Sequence, residues 1–340
     1  MNEPIAPIAP VETIASDYKD RSTGLTVFGI LTLLLGCVCA LFVPLMLLGQ
    51  LAAAKTQQGS PNMAAMLPGM LMYGGLAVAL IWLGIGSIKA RRWARALLLI
   101  FSWSWLVMGA FVMIFMGFLL PRVLEGVSSA GASNGTTNHA LPPGTVGVMM
   151  IVMFGIFSII FVLLPAVWIY FYKSRHVKAT CEARDPVMRW TDACPLPVLA
   201  SCVWAMFSVP MMVLMPLSAH GVVPFFGIFL TGMAGTAIYL LIAAIWAYAA
   251  WLMYQLKPLG WWLLLVVMGL FLISSLMTYA RHDVLEMYQL MGYPQAQIDQ
   301  MQKMGLMSGN RMGWITALSV LPWLGYLIFI KKYFRGKDQV

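Results

Sequence analysis

The sequence predicts an all-α polytopic membrane protein with eight transmembrane helices. Of its 340 residues, 61% are hydrophobic and only 10% are charged, and long apolar runs recur along the chain. An average soluble domain is about 25% charged, and a water-exposed surface needs that charge. The runs do not alternate apolar and polar residues, as the strands of a membrane barrel do. This composition excludes a soluble enzyme, a disordered protein and a disulfide scaffold.

Each apolar run is close to the length of about 20 residues that a helix needs to cross a bilayer. The predicted spans are 25–49, 67–88, 95–120, 146–172, 196–217, 227–256, 259–280 and 312–331. Residues 1–22 contain a repeated Ile-Ala-Pro and mixed charges, which predicts a disordered cytoplasmic tail. Residues 335–340 form a second, short cytoplasmic tail.

The basic residues predict the orientation. Sixteen of the 21 Lys and Arg residues fall on the side that holds both termini and the loops after the second, fourth and sixth spans. This asymmetry places both termini in the cytoplasm. We expect a location in the cell membrane, specifically a bacterial inner membrane. The net charge of +9 comes from residues that flank spans, so it favours contact with membrane lipids over binding of nucleic acid.

Four short motifs recur in the same order in the two halves of the chain, which predicts two tandem, parallel four-helix repeats. Four spans is an even number, so the two units share one orientation and are related by a pseudo-twofold axis along the membrane normal. We place the repeats at 23–178 and 195–334, with a cytoplasmic linker at 179–194. The motif pairs are 43–46 with 209–212, 61–70 with 224–233, 89–93 with 257–261, and 164–165 with 321–322.

Separate structures are predicted for four segments between the spans. Residues 222–256 are too long an apolar run for one span, so short elements, interfacial or re-entrant, are predicted at 57–68 and 222–233. Residues 121–145 are rich in Gly, Ser, Asn and Thr and are expected to be flexible. Residues 281–311 have helical spacing on both sides of a proline, which predicts an amphipathic hairpin on the outer surface.

The residues needed for catalysis or coupled transport are missing from the predicted spans. Every Asp, Glu, Lys and Arg falls in a loop, a tail or a helix end, and there is no His-Glu-x-x-His motif. No His lies deep enough to bind haem, so we expect neither an enzyme nor a cofactor. The serines of the spans are expected to bond to backbone carbonyls or across helices; they are Ser102, Ser104, Ser158, Ser274 and Ser275.

Two groups of residues are candidate metal ligands. Cys181 and Cys194 share a loop with His176, but their spacing is poor for zinc, and free thiols are expected. Soft thioethers bind Cu(I), which makes a weak candidate site of Met301, Met304, Met307 and His282. Methionine is also a flexible filler elsewhere in this chain, so the Met spacing has an ordinary packing explanation.

Basic and aromatic residues at the cytoplasmic helix ends predict anchoring at the lipid headgroups. Arg binds phosphate and Trp lies at the level of the headgroups. The predicted anchoring residues are Arg91, Arg92, Trp93, Arg95, Lys257 and Trp261.

These observations favour a non-catalytic accessory or scaffold subunit that packs against lipid or a membrane protein partner, including a second copy of itself. The alternative is a facilitative transporter or channel for a small neutral or apolar solute, with its site on the pseudo-twofold axis. The uncharged spans favour the first function, and the internal repeat favours the second.

Overall fold

The computed structural model describes residues 19–56, 63–133, 143–293 and 309–334, together with Gln295, Ile298, Asp299 and Gln302. Within these residues, eight helices are long and apolar enough to cross a membrane, which confirms a multi-pass α-helical membrane protein. They are Ser22–Gly49, Met66–Ile88, Arg92–Gly117, Gly147–Lys173, Leu196–Ala219, Gly232–Tyr254, Pro258–Tyr279 and Met312–Phe334.

The helices are numbered in chain order. They are α1 (Ser22–Thr56), α2 (Met63–Ile88), α3 (Arg92–Ser133), α4 (Pro143–Ser158), α5 (Leu164–Lys173), α6 (Arg175–Arg184), α7 (Leu196–Ala219), α8 (Gly232–Tyr254), α9 (Pro258–Tyr279), α10 (Val284–Leu290) and α11 (Gly309–Ile330). A π-helical turn, Ile159–Leu163, joins α4 to α5, and 3₁₀ turns lie at Trp190–Asp192 and Lys331–Phe334. Strands β1 (Val223–Phe225) and β2 (Ile228–Leu230) form an antiparallel pair.

The spans form two bundles with separate cores. The N-terminal bundle (α1, α2, α3 and α4–α5) is centred on the buried Leu98 and Tyr172. The C-terminal bundle (α7, α8, α9 and α11) is centred on the buried Met253 and Trp261. They meet where α7 packs on α2 and α3, and there Trp204 Nε1 donates a hydrogen bond of 2.6 Å to Ser104 Oγ. This bond joins the two bundles across their contact.

Glycine allows α1 and α2 to pack at backbone distance. A Cβ on Gly29 would lie 2.9 Å from the carbonyl oxygen of Gly84, and one on Gly84 would lie 2.8 Å from that of Gly29. Small residues at a membrane helix interface permit this approach, and van der Waals contact then stabilises the pair.

The turns between α2 and α3 and between α8 and α9 have the same hydrogen bonds. Arg91 N donates to Gly86 O at 2.9 Å, and Lys257 N donates to Leu252 O at 3.0 Å. The preceding residues, Ala90 and Leu256, have φ of 51° and 58°. Both turns are Schellman motifs, which satisfy the last carbonyls of a helix. The residues of the two motifs are 166 positions apart.

The β-hairpin corrects the predicted span 227–256. Residues 223–230 form the two strands, and the membrane helix begins at Gly232. The two residues of the turn, Phe226 and Gly227, have φ of 42° and 95°, as a tight hairpin turn requires. In the matching segment 57–68, residues 63–68 are the start of α2, and 57–62 lie outside the described residues.

Other segments also differ from expectation. Residues 121–133, predicted to be flexible, continue α3 as helix. The predicted linker 179–194 contains the end of α6 and a 3₁₀ turn. The predicted surface hairpin 281–311 begins with α10, where Asp283 Oδ1 accepts from Val284 N at 2.8 Å. Its second half lies largely outside the described residues, as do residues 1–18 and 335–340 of the predicted tails.

The π-helical turn in the fourth span lies against a glycine of α3. Pro165 has no N–H to donate to the carbonyl of Phe161, four residues earlier. A Cβ on Gly109 would collide with that carbonyl oxygen. The packing of α3 on the fourth span therefore depends on the absence of a side chain at residue 109.

We predict that Gly109→Ala destabilises the protein by about 1–3 kcal/mol, because the helices must shift to relieve an overpacked contact. The gain in helix propensity, about 1 kcal/mol, does not offset this. Thermal unfolding in detergent measures the effect. The matched control is Gly117→Ala, where the nearest neighbour of a Cβ is a Phe154 ring atom at 3.8 Å. Equal unfolding temperatures for the two variants would contradict the role of Gly109.

Candidate functional site

The basic end of the molecule, formed by residues 89–92, 173–195 and 255–258, holds a charge cluster centred on Asp185. The Asp185 side chain is 2% exposed. It accepts from Arg189 Nη2 at 2.7 Å and Nε at 3.2 Å, and from the backbone N of Arg92 at 3.4 Å. Arg91 Nη1 lies 3.5 Å away. The hydrogen bonds from Arg189 hold the pKa of Asp185 below its usual range.

Most of the predicted anchoring residues have protein partners. Arg92 pairs with Asp192 at 3.3 Å and with Glu182 at 3.6 Å. Arg95 Nε donates to the carbonyl of Tyr172 at 3.1 Å. The helix ends are thus held to the loop 174–195 by ion pairs and hydrogen bonds. Binding of lipid phosphate by these arginines stays a prediction.

The aromatic anchors are divided between the surface and the interior. Trp93 stacks on Trp82 with ring centroids 4.2 Å apart. Lys257 Nζ lies 5.5 Å from the ring of Trp251. Trp261 is 3% exposed and donates from Nε1 to Leu327 O at 2.6 Å, so its ring faces protein. Its neighbour Trp262 is 51% exposed. Headgroup contact by Trp93, Lys257 and Trp261 stays a prediction.

At the opposite end, polar side chains of α9 and the turn after it hold the β-hairpin. Ser274 Oγ accepts from Phe226 N at 2.9 Å, and Thr278 Oγ1 accepts from Gly227 N at 3.0 Å. His282 Nε2 lies 3.1 Å from Gly227 O. Ser274 and Thr278 are four residues apart on one face of α9, and His282 follows four residues later in the turn. That spacing is the sequence signal for a contact that was not predicted.

The copper candidate falls largely outside the described residues, because Met301, Met304 and Met307 are among the undescribed ones. Both ring nitrogens of His282 have partners, since Nδ1 lies 2.8 Å from Glu286 Oε2. No group of three His, Cys, Asp or Glu that could hold a metal occurs in the part of the chain that the structure describes. Copper binding stays a prediction.

The loop cysteines lie in different apolar clusters. Cys181 packs in the core of the N-terminal bundle, and Cys194 packs against Ile100 and Leu199. Burial raises the pKa of each thiol to about 11, so both are protonated at neutral pH. All five cysteines are free. A protonated, buried thiol is a poor nucleophile and a poor metal ligand.

The intramembrane serines bond mainly to backbone. Ser102 Oγ donates to Leu98 O at 2.7 Å, and Ser104 Oγ donates to Ile100 O at 2.9 Å. Ser274 Oγ donates to Pro224 O at 3.1 Å. The predicted bonding to carbonyls is confirmed for these three residues. Ser275 Oγ is buried without a hydrogen-bond partner among the described residues.

An open-sided cavity of about 170 Å³ lies between the helices of the C-terminal bundle, in the half nearer the basic end. All four helices contribute to its lining, which includes Ser201, Trp204, Ser208, Trp246, Met268 and Trp323. Two of these side chains have internal partners: Trp204 donates to Ser104, and Ser208 Oγ donates to Trp204 O at 2.8 Å. Ser201 Oγ and Trp246 Nε1 are buried and have no hydrogen-bond partner among the described protein groups. Neither the cavity nor these two residues was expected from the sequence.

The fold defines the class, a multi-pass α-helical membrane protein. The chain matches no protein-family model, no curated protein and no solved structure. Its function is therefore inferred from its own residues.

We predict that Asp185→Asn destabilises the protein by about 1–3 kcal/mol at neutral pH, because it removes the charged acceptor that orders three arginines. The depressed pKa means that Asp185 contributes stability above its unfolded pKa of about 4, and loses it as pH falls through the lower folded pKa. The difference in free energy of unfolding between the wild-type protein and the variant therefore becomes smaller below about pH 4. Denaturant unfolding at several pH values measures this.

The control for Asp185→Asn is Glu182→Gln. The Glu182 side chain is 41% exposed, and its ion pairs with Arg92 and Lys178 span 3.6 and 3.8 Å. Its replacement is expected to change stability by less than about 0.5 kcal/mol. Two results would contradict the central role of Asp185. One is a loss of stability in Glu182→Gln as large as that in Asp185→Asn. The other is a difference in stability between wild type and Asp185→Asn that is the same at all pH values.

Proposed function

We propose that this protein is a non-catalytic accessory or scaffold component of a membrane, and that its fourth span packs against a protein partner. One observation carries the proposal. The most apolar window of the span Gly147–Lys173 has no buried residue, whereas those of the other seven spans are 17–33% buried. Membrane helices are stabilised by packing on one another, so a partner for this span completes its packing.

The contacts of the fourth span are unequal along its length. Its α5 end packs on α1 and α3, with Trp168 Nε1 donating to Thr32 Oγ1 at 3.4 Å and Phe28 stacked on Phe171. The α4 segment and the π-helical turn pack mainly on α3. The open face carries large apolar side chains at helical spacing: Val148, Ile151, Val152, Ile156, Ile159 and Leu163.

A glycine favours a protein over lipid on this face. Gly155 has no atom within 4 Å of the position of a Cβ. Small residues let a second helix approach the backbone closely, whereas lipid chains gain nothing from them. The partner we propose is therefore an apolar transmembrane helix, from another protein or from a second copy of this chain.

We also propose that the two bundles are tandem repeats. The two Schellman turns support this, since Arg91 and Lys257 hold equivalent positions in them, 166 residues apart. Pro44 of α1 and Pro210 of α7 have the same separation. With this separation Lys257 corresponds to Arg91, whereas the sequence motif paired Lys257 with Lys89.

A facilitative conduit for a small neutral or apolar solute is the second candidate. Transporters are often built from repeated halves, which favours it. All residues that line the described cavity belong to one bundle, so it does not lie on an axis between the two. Solute flux into liposomes that contain the purified protein distinguishes a conduit from a scaffold.

The proposed location is the bacterial inner membrane, with both termini in the cytoplasm. It predicts that Ser133→Cys and Asn310→Cys react with an impermeant maleimide in intact cells and that Ser174→Cys does not, because only the first two face outward. The unsubstituted chain gives the background from native cysteines, four of which are buried. The reverse labelling pattern would overturn the orientation.

The partner is tested with a photoreactive benzoyl-phenylalanine placed at Ile151, which is 74% exposed on the open face. We expect a discrete adduct of higher mass after illumination of native membranes, because a packed helix holds one protein against this position. Mass spectrometry of the adduct identifies the partner, including a second copy of the chain.

The matched control is the same substitution at Leu41 of α1, which is also apolar and is 67% exposed. It is expected to give no protein adduct. If both positions yield lipid adducts alone, the fourth span faces lipid and the proposed function is wrong.

A further inference from the structure

The connection between α6 and α7 exposes apolar side chains outside the membrane-spanning helices. Val187 is 60% exposed, Met188 is 74% exposed and Trp190 is 46% exposed. Pro186 beside them is exposed as well. Clustered apolar side chains on a surface mark a site of contact with protein or membrane. We propose that the segment 186–190 is an interfacial anchor, which enters the headgroup layer of the bilayer at the basic end of the molecule and binds acidic phospholipids there.

Both ends of this segment are fixed where two spans end. Asp185, which precedes it, accepts from the backbone N of Arg92, the first residue of the third span. Arg92 Nε also lies 3.3 Å from Asp192 Oδ2, just after the segment. Tyr254, the last residue of the sixth span, donates from its hydroxyl to Trp190 O at 2.9 Å. The segment therefore starts and finishes at the level of these two helix ends.

That level lies at the headgroup layer. The sixth span has 23 residues, about 35 Å of helix, and the hydrocarbon core is only about 30 Å thick. The apolar part of the third span begins after the charged Arg92, and such charges stay out of the hydrocarbon. Met188 is three residues from Asp185, and a chain advances at most about 3.6 Å per residue, so Met188 lies within about 11 Å of this level. Its side chain is thus within reach of the headgroups.

The charge around the segment is complementary to an acidic bilayer. Residues 89–95 and 173–195 contain nine Lys and Arg against three Asp and Glu. Each Lys or Arg near an acidic lipid surface adds to the attraction. The dipeptide Arg189-Trp190 is also typical of the headgroup level, where Trp is enriched. Apolar side chains within a basic region are the combination that holds interfacial segments on acidic lipids.

Hydrogen bonds hold the segment in the conformation that exposes its apolar side chains. Arg189 Nη2 donates to Asp185 Oδ1 at 2.7 Å, and Arg189 N donates to Asp192 Oδ2 at 3.0 Å. The charged residue of the segment is thereby directed toward the protein, whereas Val187 and Met188 are left exposed. A conformation that is already ordered loses less entropy when it enters the headgroup layer.

The apolar residues of the two other connections between spans at this end are covered. Ala90 is 1% exposed. Leu256 packs against the cluster that contains Ile100 and Leu199. The exposed apolar side chains are therefore a property of the segment 186–190 rather than of every connection at the basic end.

The test is the fluorescence of an NBD group attached to Met188→Cys in the whole protein, held in nanodiscs of phosphatidylcholine and phosphatidylglycerol. The chain also carries Cys37→Ala, because Cys37 is exposed and the other four cysteines are buried. We expect lipids with a nitroxide near the headgroup to quench the NBD emission strongly, and aqueous iodide to quench it weakly. The matched control is Lys178→Cys, on a side chain of α6 that is 58% exposed, and it is expected to show the opposite pattern.

A second comparison tests the selectivity for acidic lipid. The nitroxide is placed on phosphatidylglycerol in one set of nanodiscs and on phosphatidylcholine in the other, at equal mole fraction. At residue 188 the labelled phosphatidylglycerol is expected to quench about two- to fivefold more, since one basic residue near an acidic surface changes an equilibrium constant about fivefold. The control is Leu217→Cys, 56% exposed near the opposite end of α7, where both lipids are expected to quench equally. Thermal unfolding of each variant in the same nanodiscs shows that it is folded.

Three results would overturn the proposal. Iodide quenching at residue 188 as strong as at residue 178 would place the segment in water, where it would be open to a soluble protein instead. Equal quenching at residue 188 by the two labelled lipids would remove the selectivity for acidic phospholipid. A preference for phosphatidylglycerol at residue 217 as large as that at residue 188 would show that the basic end does not cause it.

Discussion

The fold depends on one constraint, that every backbone N–H and C=O inside a bilayer needs a partner within the protein. A helix satisfies this constraint with its own hydrogen bonds, so backbone groups need other partners only where a helix ends. The hairpin 223–230 is such a place, because its two-residue turn leaves the amides of Phe226 and Gly227 to be satisfied from outside. Ser274 and Thr278 of α9 accept from them. The polar residues of an otherwise apolar helix thus accept hydrogen bonds from the backbone of another element.

The same constraint explains the turns and the irregular helix. Ala90 and Leu256 adopt a left-handed conformation that costs a non-glycine residue about 1–2 kcal/mol. The conformation lets the next amides satisfy the carbonyls at the ends of α2 and α8. In the fourth span, Pro165 withholds a donor and the helix widens into a π turn just before it. Each departure from regular helix geometry thus reflects the need of a backbone carbonyl or amide for a hydrogen-bond partner.

Sequence reasoning predicts the spans well and the connections poorly, for a physical reason. A run of about 20 apolar residues is a local property, and it specifies a helix because nothing else satisfies the backbone in lipid. The length of the apolar run 222–256 predicted a short element at 222–233, but the hairpin is equally apolar, so hydropathy indicated neither its strands nor the start of the helix at Gly232. Its signals were the turn residues Phe226-Gly227 and the polar positions four residues apart on α9. The cluster around Asp185 joins residues 94 positions apart in sequence, and no local pattern reports such a contact.

The residues around the cavity show that the hydrogen-bond partners of a side chain can depend on packing alone. Ser201 and Ser208 are the same residue type on one face of one helix, and only packing determines that one has a partner and the other does not. Trp204 lies between them in sequence, lines the same cavity, and donates the hydrogen bond to Ser104 that joins the two bundles. Trp204 thus belongs both to the wall of the cavity and to the contact between the bundles.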